Sequence, residues 1–384
     1  MPTPSLLMIS HSARSDESLL FTLIIYIFAD IMEEELYYDA IDLLKQLIAT
    51  PSISRDETKA ADIVETFIKK CGYKTSRFGN NIVVIAPEFD ASKPTLLLNS
   101  HIDTVKPASG WSRDPFSPTE EDGRLYGLGS NDAGASLVSL IAAFRHLSII
   151  PRKYNLVFVA SAEEEVSGKN GFSSVISHLP EISVAIVGEP TEMNPAISEK
   201  GLMVLDVEVY GEAGHAARNE GINAIYKAVP VIEGFRNMTF DKESSTLGPI
   251  KMSVTQIESG TQHNVIPALC KLVVDVRTTD VYSNEETLEL IRKNIPDCSI
   301  TPRSTRLNPS SISADHPLIK RLAIMNRKPF GSPTLSDQAL MPWQSVKLGP
   351  GKSSRSHTAD EYIELDEIRE AIHLYITLLT NLTL

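Results

Sequence analysis

The chain has 384 residues, of which 42% are hydrophobic and 22% are charged, a composition typical of soluble globular proteins and not of disordered or membrane proteins. Its net charge of −13 and the lack of any basic run in the sequence argue against a nucleic-acid-binding surface. The three cysteines are an odd number and form no C-x-x-C motif. We therefore expect a cytoplasmic protein, in a compartment that keeps thiols reduced, without a disulfide framework.

The first 31 residues differ from the rest of the chain. Residues 19–29 form an apolar run of eleven, which is too short to cross a bilayer. Asp16 and Glu17 precede this run and no small-x-small cleavage site follows it, which argues against a signal peptide. We expect Met32 to be the working start, and residues 1–31 to be an extension that is disordered or not translated.

From residue 33 onward, helical and strand patterns alternate. Apolar residues at helical spacing predict helices, and uniformly apolar, β-branched runs predict buried strands. The predicted helices are at 33–49, 57–71 and 133–147, and the predicted strands are at 82–86, 95–100, 155–160 and 184–187. This alternation indicates an α/β fold with a mostly parallel sheet flanked by helices.

Beyond Glu192 the pattern changes to alternating apolar and polar residues, as in half-buried antiparallel strands. The predicted strands are at 201–210, 250–257, 270–277 and 299–303, and the predicted helices at 223–237, 284–294 and, near the C-terminus, 365–380. The order β-α-β-β-α-β over this stretch is typical of a ferredoxin-like α+β domain. We therefore expect such a domain at 193–305, inserted into a larger domain formed by 32–192 and 306–384.

Acidic and imidazole side chains follow several of the predicted strands. Three glutamates, Glu163 to Glu165, follow the strand at 155–160, and His101 and Asp103 follow the strand at 95–100. Three adjacent glutamates alone are more often a solvated turn than a metal site. Ligands of open α/β sheets, however, bind at the carboxyl ends of the strands, so these side chains are expected at one edge of the sheet.

This edge is a candidate metal site. Zinc prefers nitrogen, oxygen and sulfur ligands, and the candidate ligands here are His101, Asp132, Glu164 or Glu165, Glu189 and His357. A lone histidine is more often structural, but several candidates at matching strand ends favour a metal site. They include more carboxylates than one zinc needs, which suits two ions that share a bridging Asp.

Two nucleotide-binding motifs are only partly present. Gly127 and Gly129 begin a dinucleotide fingerprint, but Asp132 occupies its third glycine position and would repel a pyrophosphate. The Gly-Lys-Ser at 351–353 resembles the end of a phosphate loop, but Val346 occupies the position of the required glycine. The G-x-S-x-G motif of serine hydrolases is absent from the sequence. These three alternatives are therefore weak.

Five short motifs occur in order along the chain: His101 to Val105, Gly129 to Asp132, Glu163 to Glu165, Gly188 to Thr191 and Ser356 to Glu361. Taken together, they resemble those of the co-catalytic zinc aminoacylases and carboxypeptidases. The nearest branch is that of acetylornithine deacetylase and succinyl-diaminopimelate desuccinylase. The resemblance runs from about Leu36 to the C-terminus and implies a zinc exopeptidase-like catalytic domain with an inserted lid and dimerisation domain.

The resemblance implies a role for each residue of the metal site. One zinc ion would be held by His101, Asp132 and Glu189, and the other by Asp132, Glu165 and His357, with cobalt able to replace zinc. Asp103 would accept a hydrogen bond from the His101 ring. Glu164 would be the general base that takes a proton from water and returns it to the departing amine.

The resemblance also implies residues outside the metal site. His215 looks like the lid histidine, which in the family reaches across a homodimer to the oxyanion; without the family it would be interpreted as a surface-turn histidine. Asn264 and Arg277 resemble substrate-binding positions, although Arg277 could equally form a salt bridge on its strand. Ser336, followed by Asp337, would belong to the loop that binds the substrate carboxylate.

Together these features predict a zinc-dependent amidohydrolase that removes the acyl group from an N-acyl amino acid. An acylated ornithine or citrulline in arginine biosynthesis is the first choice, as for acetylornithine deacetylase, and succinyl-diaminopimelate or a dipeptide is the alternative. A non-catalytic small-molecule binder is the alternative of another class. Glu163 replaces the usual Asp, and Ala133 to Ala135 replaces a bulky residue followed by Lys-Gly, so the substrate is left open.

Overall fold

The structure is a computed structural model that describes residues 32–384; the extension predicted at 1–31 lies outside the described residues. The helices are α1 (32–48), α2 (Thr58–Lys70), α3 (Ala135–Ser148), α4 (Ala224–Asn237), α5 (Asn284–Asn294), α6 (Pro317–Ile324) and α7 (Leu365–Leu379). The strands are β1 (Ser76–Phe78), β2 (Asn81–Ile85), β3 (Thr95–His101), β4 (Thr119–Glu121), β5 (Arg124–Tyr126), β6 (Asn155–Ser161), β7 (Val184–Val187), β8 (Ala196–Glu199), β9 (Gly201–Tyr210), β10 (Gly214–His215), β11 (Lys251–Ser259), β12 (Val265–Ile266), β13 (Leu269–Thr278), β14 (Ser299–Pro302), β15 (Ser310–Ser311), β16 (Phe330–Ser332), β17 (Gln344–Lys347) and β18 (Tyr362–Glu364).

A nine-stranded sheet in the order β1-β2-β6-β3-β7-β17-β8-β15, with β16 beside β8, forms the centre of the fold. The strands β6, β3, β7 and β17 are mutually parallel. In contrast, β1, β2 and β15 pair with their neighbours in antiparallel fashion. The predicted α/β class is therefore confirmed, and the sheet is parallel at its centre and mixed towards its edges.

The uniform hydrophobicity of the central strands follows from burial on both faces. In β3, Leu96 and Leu98 belong to the large core that also contains residues of α1, α3 and α7. Leu97, between them, belongs to a separate core with Phe172 and Ile182 on the other face. Because alternate side chains of a strand point to opposite faces, a strand that is covered on both faces has no polar positions to alternate with the apolar ones.

A second, four-stranded antiparallel sheet has the order β11-β13-β9-β14. Residues of β9 alternate between buried and half-buried, and their buried side chains form a core with Phe235 of α4 and Ile291 of α5. The predicted order β-α-β-β-α-β is confirmed for these elements, while the domain boundaries at 192/193 and 305/306 stay a prediction. None of the helices within 32–384 is both long and apolar enough to cross a membrane.

The parallel strands bring their carboxyl ends to one edge of the large sheet. His101 at the end of β3 pairs with Ser161 at the end of β6, and Val187 at the end of β7 pairs with Lys347 at the end of β17. The segments after these strands contain the glutamates at 163–165, Glu189 and the loop that ends in His357. This edge is where ligands bind in open α/β sheets.

Candidate metal centre

Two clusters of possible metal ligands lie at this edge of the sheet. In the first, Nε2 of His101 is 3.3 Å from Oδ1 of Asp132 and 3.7 Å from Oε1 of Glu189. In the second, Nε2 of His357 is 3.5 Å from Oδ2 of Asp132 and 3.0 Å from Oε2 of Glu165. The two oxygens of Asp132 therefore face different clusters, as the carboxylate of a bridging ligand would.

These separations fit the coordination sphere of a small divalent cation. Two ligand atoms that each lie about 2.05 Å from a tetrahedral zinc ion are separated by roughly 3.3 Å. The structure also brings Glu164 and Glu165 near His101, so that all five predicted ligands and Glu164 belong to one site. Nitrogen and oxygen donors in these proportions suit zinc or another borderline divalent ion.

The carboxylates of the site are shielded from water, unlike those of a solvated acidic turn. Side-chain exposure is 12% for Asp132, 8% for Glu165 and 11% for Glu189. Burial, with His101 opposing it and Asp132 reinforcing it, raises the pKa of Glu189 to about 8. Burial likewise raises the pKa of Glu164 well above its usual range, although His101 opposes the shift. The site thus holds more acidic groups than can ionise together beside two histidines, and divalent cations would stabilise their charged forms.

The Asp103 carboxylate holds the turn that contains the glutamates. Its Oδ1 accepts a hydrogen bond from the backbone N–H of Glu164 at 3.0 Å, and its Oδ2 accepts one from the backbone N–H of Glu165 at 3.2 Å. The hydroxyl of Ser54 also donates to Oδ2. The turn is thereby held against the end of β3, which orients both glutamates towards the two clusters.

The predicted hydrogen bond from the His101 ring to Asp103 is made with the backbone carbonyl of Asp103. Nδ1 of His101 is 3.6 Å from the nearer Asp103 carboxylate oxygen, beyond hydrogen-bond range, but 2.8 Å from the Asp103 backbone carbonyl. The carbonyl therefore accepts the Nδ1 hydrogen bond and leaves Nε2 free to face the first cluster. Residue 103 still orients the His101 ring, but through its main chain.

The carboxylate of Glu361 fixes the backbone around Asp132. The sequence places Glu361 in a motif but assigns it no role. One oxygen of its buried carboxylate accepts hydrogen bonds from the backbone N–H groups of Asn131 at 2.8 Å and Asp132 at 2.9 Å, and the other accepts one from Gly129 at 3.2 Å. Burial raises the pKa of Glu361 to about 8, although these N–H groups act to lower it. Its position four residues after His357 was the signal available in the sequence.

Asn131 links the same turn to the loop that contains His357. Its amide nitrogen donates to the carbonyl of Lys352 at 3.1 Å, and its amide oxygen accepts from the Lys352 N–H at 3.0 Å. The close approach requires Gly351, which has φ of +83° and where a Cβ atom would lie 2.3 Å from Oδ1 of Asn131. The glycine is therefore needed for both conformation and space.

A cavity opens over the two clusters. One part of its wall is formed by His357 and four acids, which are Asp132, Glu164, Glu165 and Glu189. The rest of the wall consists of Pro190, Thr334, Leu335, Lys347, Ser353 and Ser356. Water or a small substrate can therefore reach the carboxylates of both clusters.

The other predicted site residues do not line this cavity. His215 and Asn264 are both exposed. They lie close together at a two-stranded sheet in which β10 pairs with β12. Arg277 forms the salt bridge that was its alternative interpretation, with its Nε 2.8 Å from Oδ1 of Asp275. Ser336 is buried and its hydroxyl donates to Glu199 at 2.7 Å. Their substrate-binding and lid roles stay predictions.

Both the sequence and the fold resemble those of known proteins. The profile of peptidase family M20/M25/M40 matches residues 97–381. The chain is similar to acetylornithine deacetylases of Proteus mirabilis, at 26% identity over 90% of this chain and 97% of that protein. It is also similar to that of Klebsiella pneumoniae, at 29% identity over 84% of this chain and 92% of that protein.

The fold is also found in solved structures. Aminopeptidase PepT from Bacillus cereus has a TM-score of 0.70 at 16% identity, over 89% of this chain and 98% of that one. The YXEP protein of Bacillus subtilis, described as a dinuclear metal binding peptidase of the M20 family, has a TM-score of 0.68 at 15% identity, over 91% of this chain and 100% of that one. The family match over most of the chain confirms the resemblance of the motifs. The chain therefore belongs to peptidase family M20/M25/M40 and is a hydrolytic enzyme.

Proposed function

We propose that this enzyme uses two divalent cations to hydrolyse the amide bond of an N-acyl amino acid, with an N-acyl-ornithine or N-acyl-citrulline of arginine biosynthesis as the first candidate. The observation that carries the proposal is the geometry of Asp132, whose two oxygens face two separate clusters. The choice of substrate is supported by the curated relatives, which are named acetylornithine deacetylases. The three free cysteines support a reducing compartment such as the cytoplasm.

In this proposal, His101, Asp132 and Glu189 hold one cation, and Asp132, Glu165 and His357 hold the other. Zinc is the first candidate and cobalt a replacement, in keeping with the nitrogen and oxygen donors. When bound, two such ions would supply polarisation of the substrate carbonyl and would lower the pKa of a bound water molecule.

The residues of this chain supply the proton transfers. Glu164 lies beside His101 in the buried site and lines the cavity, so its carboxylate accepts a proton from the attacking water. The same side chain then returns that proton to the nitrogen of the departing amine. The carboxylate of Asp103 accepts a hydrogen bond from the backbone N–H of Glu164 and so holds this residue in place. The base therefore does not have to reorganise during the reaction.

We further propose that residues 193–305 act as a lid and dimerisation domain for a catalytic domain formed by 32–192 and 306–384. His215 is exposed and does not line the cavity of its own chain; in a homodimer it would donate a hydrogen bond to the carbonyl oxygen in the partner's site as negative charge develops there. The exposed apolar side chains Ile225, Tyr226 and Val229 of α4 support contact with a second copy.

A substrate panel tests the proposal. The purified enzyme is loaded with zinc or cobalt and assayed against acetylornithine, acetylcitrulline, succinylornithine, succinyl-diaminopimelate and a dipeptide. We expect the highest kcat/KM for an acylated ornithine or citrulline. A higher value for succinyl-diaminopimelate or the dipeptide would assign the alternative substrate. Turnover of none of the five by the folded, metal-loaded protein would refute the proposed substrate class.

A further inference from the structure

A buried ion pair outside the two metal clusters organises one wall of the cavity. Glu199, the last residue of β8, is fully buried, and its Oε2 lies 2.7 Å from Nζ of Lys347, the last residue of β17. Neither residue belongs to the proposed metal ligands. Burying two charges is costly unless they are paired and hydrogen-bonded, so this pair needs its surroundings to satisfy the remaining donors and acceptors.

The surroundings of Glu199 belong almost entirely to one segment. Its carboxylate accepts hydrogen bonds from the backbone N–H of Ser336 at 2.8 Å, from the Ser336 hydroxyl at 2.7 Å and from the side-chain amide of Gln338 at 3.1 Å. Together with Lys347, these donors occupy both carboxylate oxygens. One acidic side chain therefore fixes the base of residues 332–338, which we call the pocket loop.

Lys347 fixes the same loop from the neighbouring strand. Its ammonium donates to the backbone carbonyl of Thr334 at 3.1 Å, to the Thr334 hydroxyl at 3.2 Å and to the Ser332 hydroxyl at 3.4 Å, besides its contact with Glu199. An ammonium has three protons, so these partners account for all of them. Lys347 lines the cavity but has no proton left to donate to a substrate carboxylate.

The middle of the pocket loop, Thr334 and Leu335, lines the cavity over the metal clusters. Thr334 and Leu335 line the same cavity as Glu164 and Glu189, whereas Ser336 and Gln338 are buried. Between the end of β16 and the short helical turn that begins at Asp337, the loop has no regular secondary structure. Its conformation is held by the contacts with Glu199 and Lys347, together with a hydrogen bond from the Ser161 hydroxyl to Asp337 and one from the Lys200 N–H to the Ser332 carbonyl.

We propose that the Glu199–Lys347 pair is a positioning device that sets the shape of the cavity wall, so that it controls which acyl groups fit beside the metal clusters. The control of acyl groups rests on the proposed function, whereas the positioning of the loop does not. A buried ion pair can often be replaced by apolar side chains with little loss of stability, so the value of this pair lies in the single loop conformation that it selects.

The test uses a variant in which both charges are removed together. Lys347→Met alone leaves the Glu199 carboxylate buried without its partner, which destabilises the fold, so Glu199→Gln/Lys347→Met is the main variant. The matched control is Lys320→Met, since Lys320 forms an exposed ion pair with Asp315 at 2.9 Å. All proteins are loaded with zinc, and their metal content is checked by atomic emission before use.

The first measurement is amide hydrogen exchange, which does not depend on activity. We expect exchange at Ser336 and its neighbours in the pocket loop to be about tenfold faster or more in the double variant, with β3 unchanged and the control identical to the wild type. The second is the ratio of kcat/KM for acetyl and succinyl derivatives of the same amino acid. We expect that ratio to change by about fivefold or more, mainly through KM, while metal content stays the same.

Two outcomes would overturn the proposal. One is a folded double variant whose loop exchanges at the wild-type rate. The other is faster exchange with an unchanged acyl preference, which would leave the pair with no influence on the substrate. If the wild-type enzyme hydrolyses neither derivative, the proposed function fails by itself, and the exchange rates still decide whether the pair positions the loop.

Discussion

In the metal-free protein, we expect the free energy of unfolding to fall as the pH rises from about 5 to about 8. The cause is the burial of two carboxyl groups, those of Glu189 and Glu361, in and beside the metal centre. Burial, in the neighbourhood of Asp132, raises the pKa of both Glu189 and Glu361 from 4.5 to about 8. Between these pH values the folded protein binds more protons than the unfolded chain does, so each increase in pH favours unfolding.

The size of the effect follows from these pKa values. A carboxyl group with a pKa of about 8 when folded and about 4.5 when unfolded loses roughly 3.5 kcal/mol of stabilisation between pH 5 and pH 8. Glu189 and Glu361 both respond to the charge of Asp132, so their contributions overlap, and we expect a total of about 3 to 5 kcal/mol. That is a large part of the 5 to 15 kcal/mol that is roughly typical of a folded domain.

His357 acts in the same direction. The hydrogen bond with Glu165 raises its pKa from 6.5 to about 9. The stabilisation from its positive charge is fully present below the unfolded pKa and is lost as the pH rises through the folded one. Because the side chain is 54% exposed, solvent screens this interaction and we add no energy for it.

The assay is urea denaturation of EDTA-treated protein at about pH 5, 6.5 and 8, with and without added zinc. Zinc should remove most of the decline, because ligand binding to the folded state stabilises it and the cations neutralise the carboxylates. Glu361→Gln should make the decline shallower in the metal-free protein, whereas Glu233→Gln, on the exposed face of α4, should not alter it. Stability of the metal-free protein that stays constant or rises over this range would refute the reasoning.

Three further substitutions test the proposed roles of site residues. Glu164→Gln should retain both metals while kcat falls by roughly 10²- to 10⁴-fold, since it removes the proton acceptor; normal turnover would exclude Glu164 from the mechanism. Asp132→Ala should lose metal, measured by atomic emission, together with activity, because both clusters share this carboxylate; retention of two metals per chain would contradict the bridging role. His215→Ala should lower kcat by about 10²- to 10³-fold without changing metal content, and an unchanged kcat would show that no hydrogen bond from the lid is needed.

Much of the fold could be predicted because hydrophobic patterning reports burial. The runs that became β3 and β6 are apolar at successive positions because two cores cover the two faces of the sheet. The alternation in β9 and β13 likewise reflects a sheet with one covered face. The order of the strands was not predictable, because nothing in the run at 82–86 indicates that β2 pairs with β6 and runs antiparallel to it.

It could also be predicted that the ligands come together, because parallel strands end at the same edge of the sheet. The hydrogen-bond and salt-bridge partners of single residues could not be predicted, since they depend on distances of a few tenths of an ångström. The sequence did not reveal that His101 bonds to the carbonyl of Asp103 and not to its carboxylate. It also left open whether Arg277 binds substrate or forms a salt bridge, and the structure shows the salt bridge with Asp275. Nor did it distinguish Ser336, buried against Glu199, from the cavity-lining residues beside it.

The sequence by itself determined the class of fold, the family and the set of residues that could bind metal, because patterning and short ordered motifs are written along the chain. Only the tertiary structure decided which oxygen of Asp132 faces which histidine, that Glu361 holds the turn, and that Glu199 and Lys347 hold the cavity wall. The physical reason is that hydrogen bonds and ion pairs depend on distance and direction, and residues 148 positions apart, such as Glu199 and Lys347, meet only after the strands between them have packed.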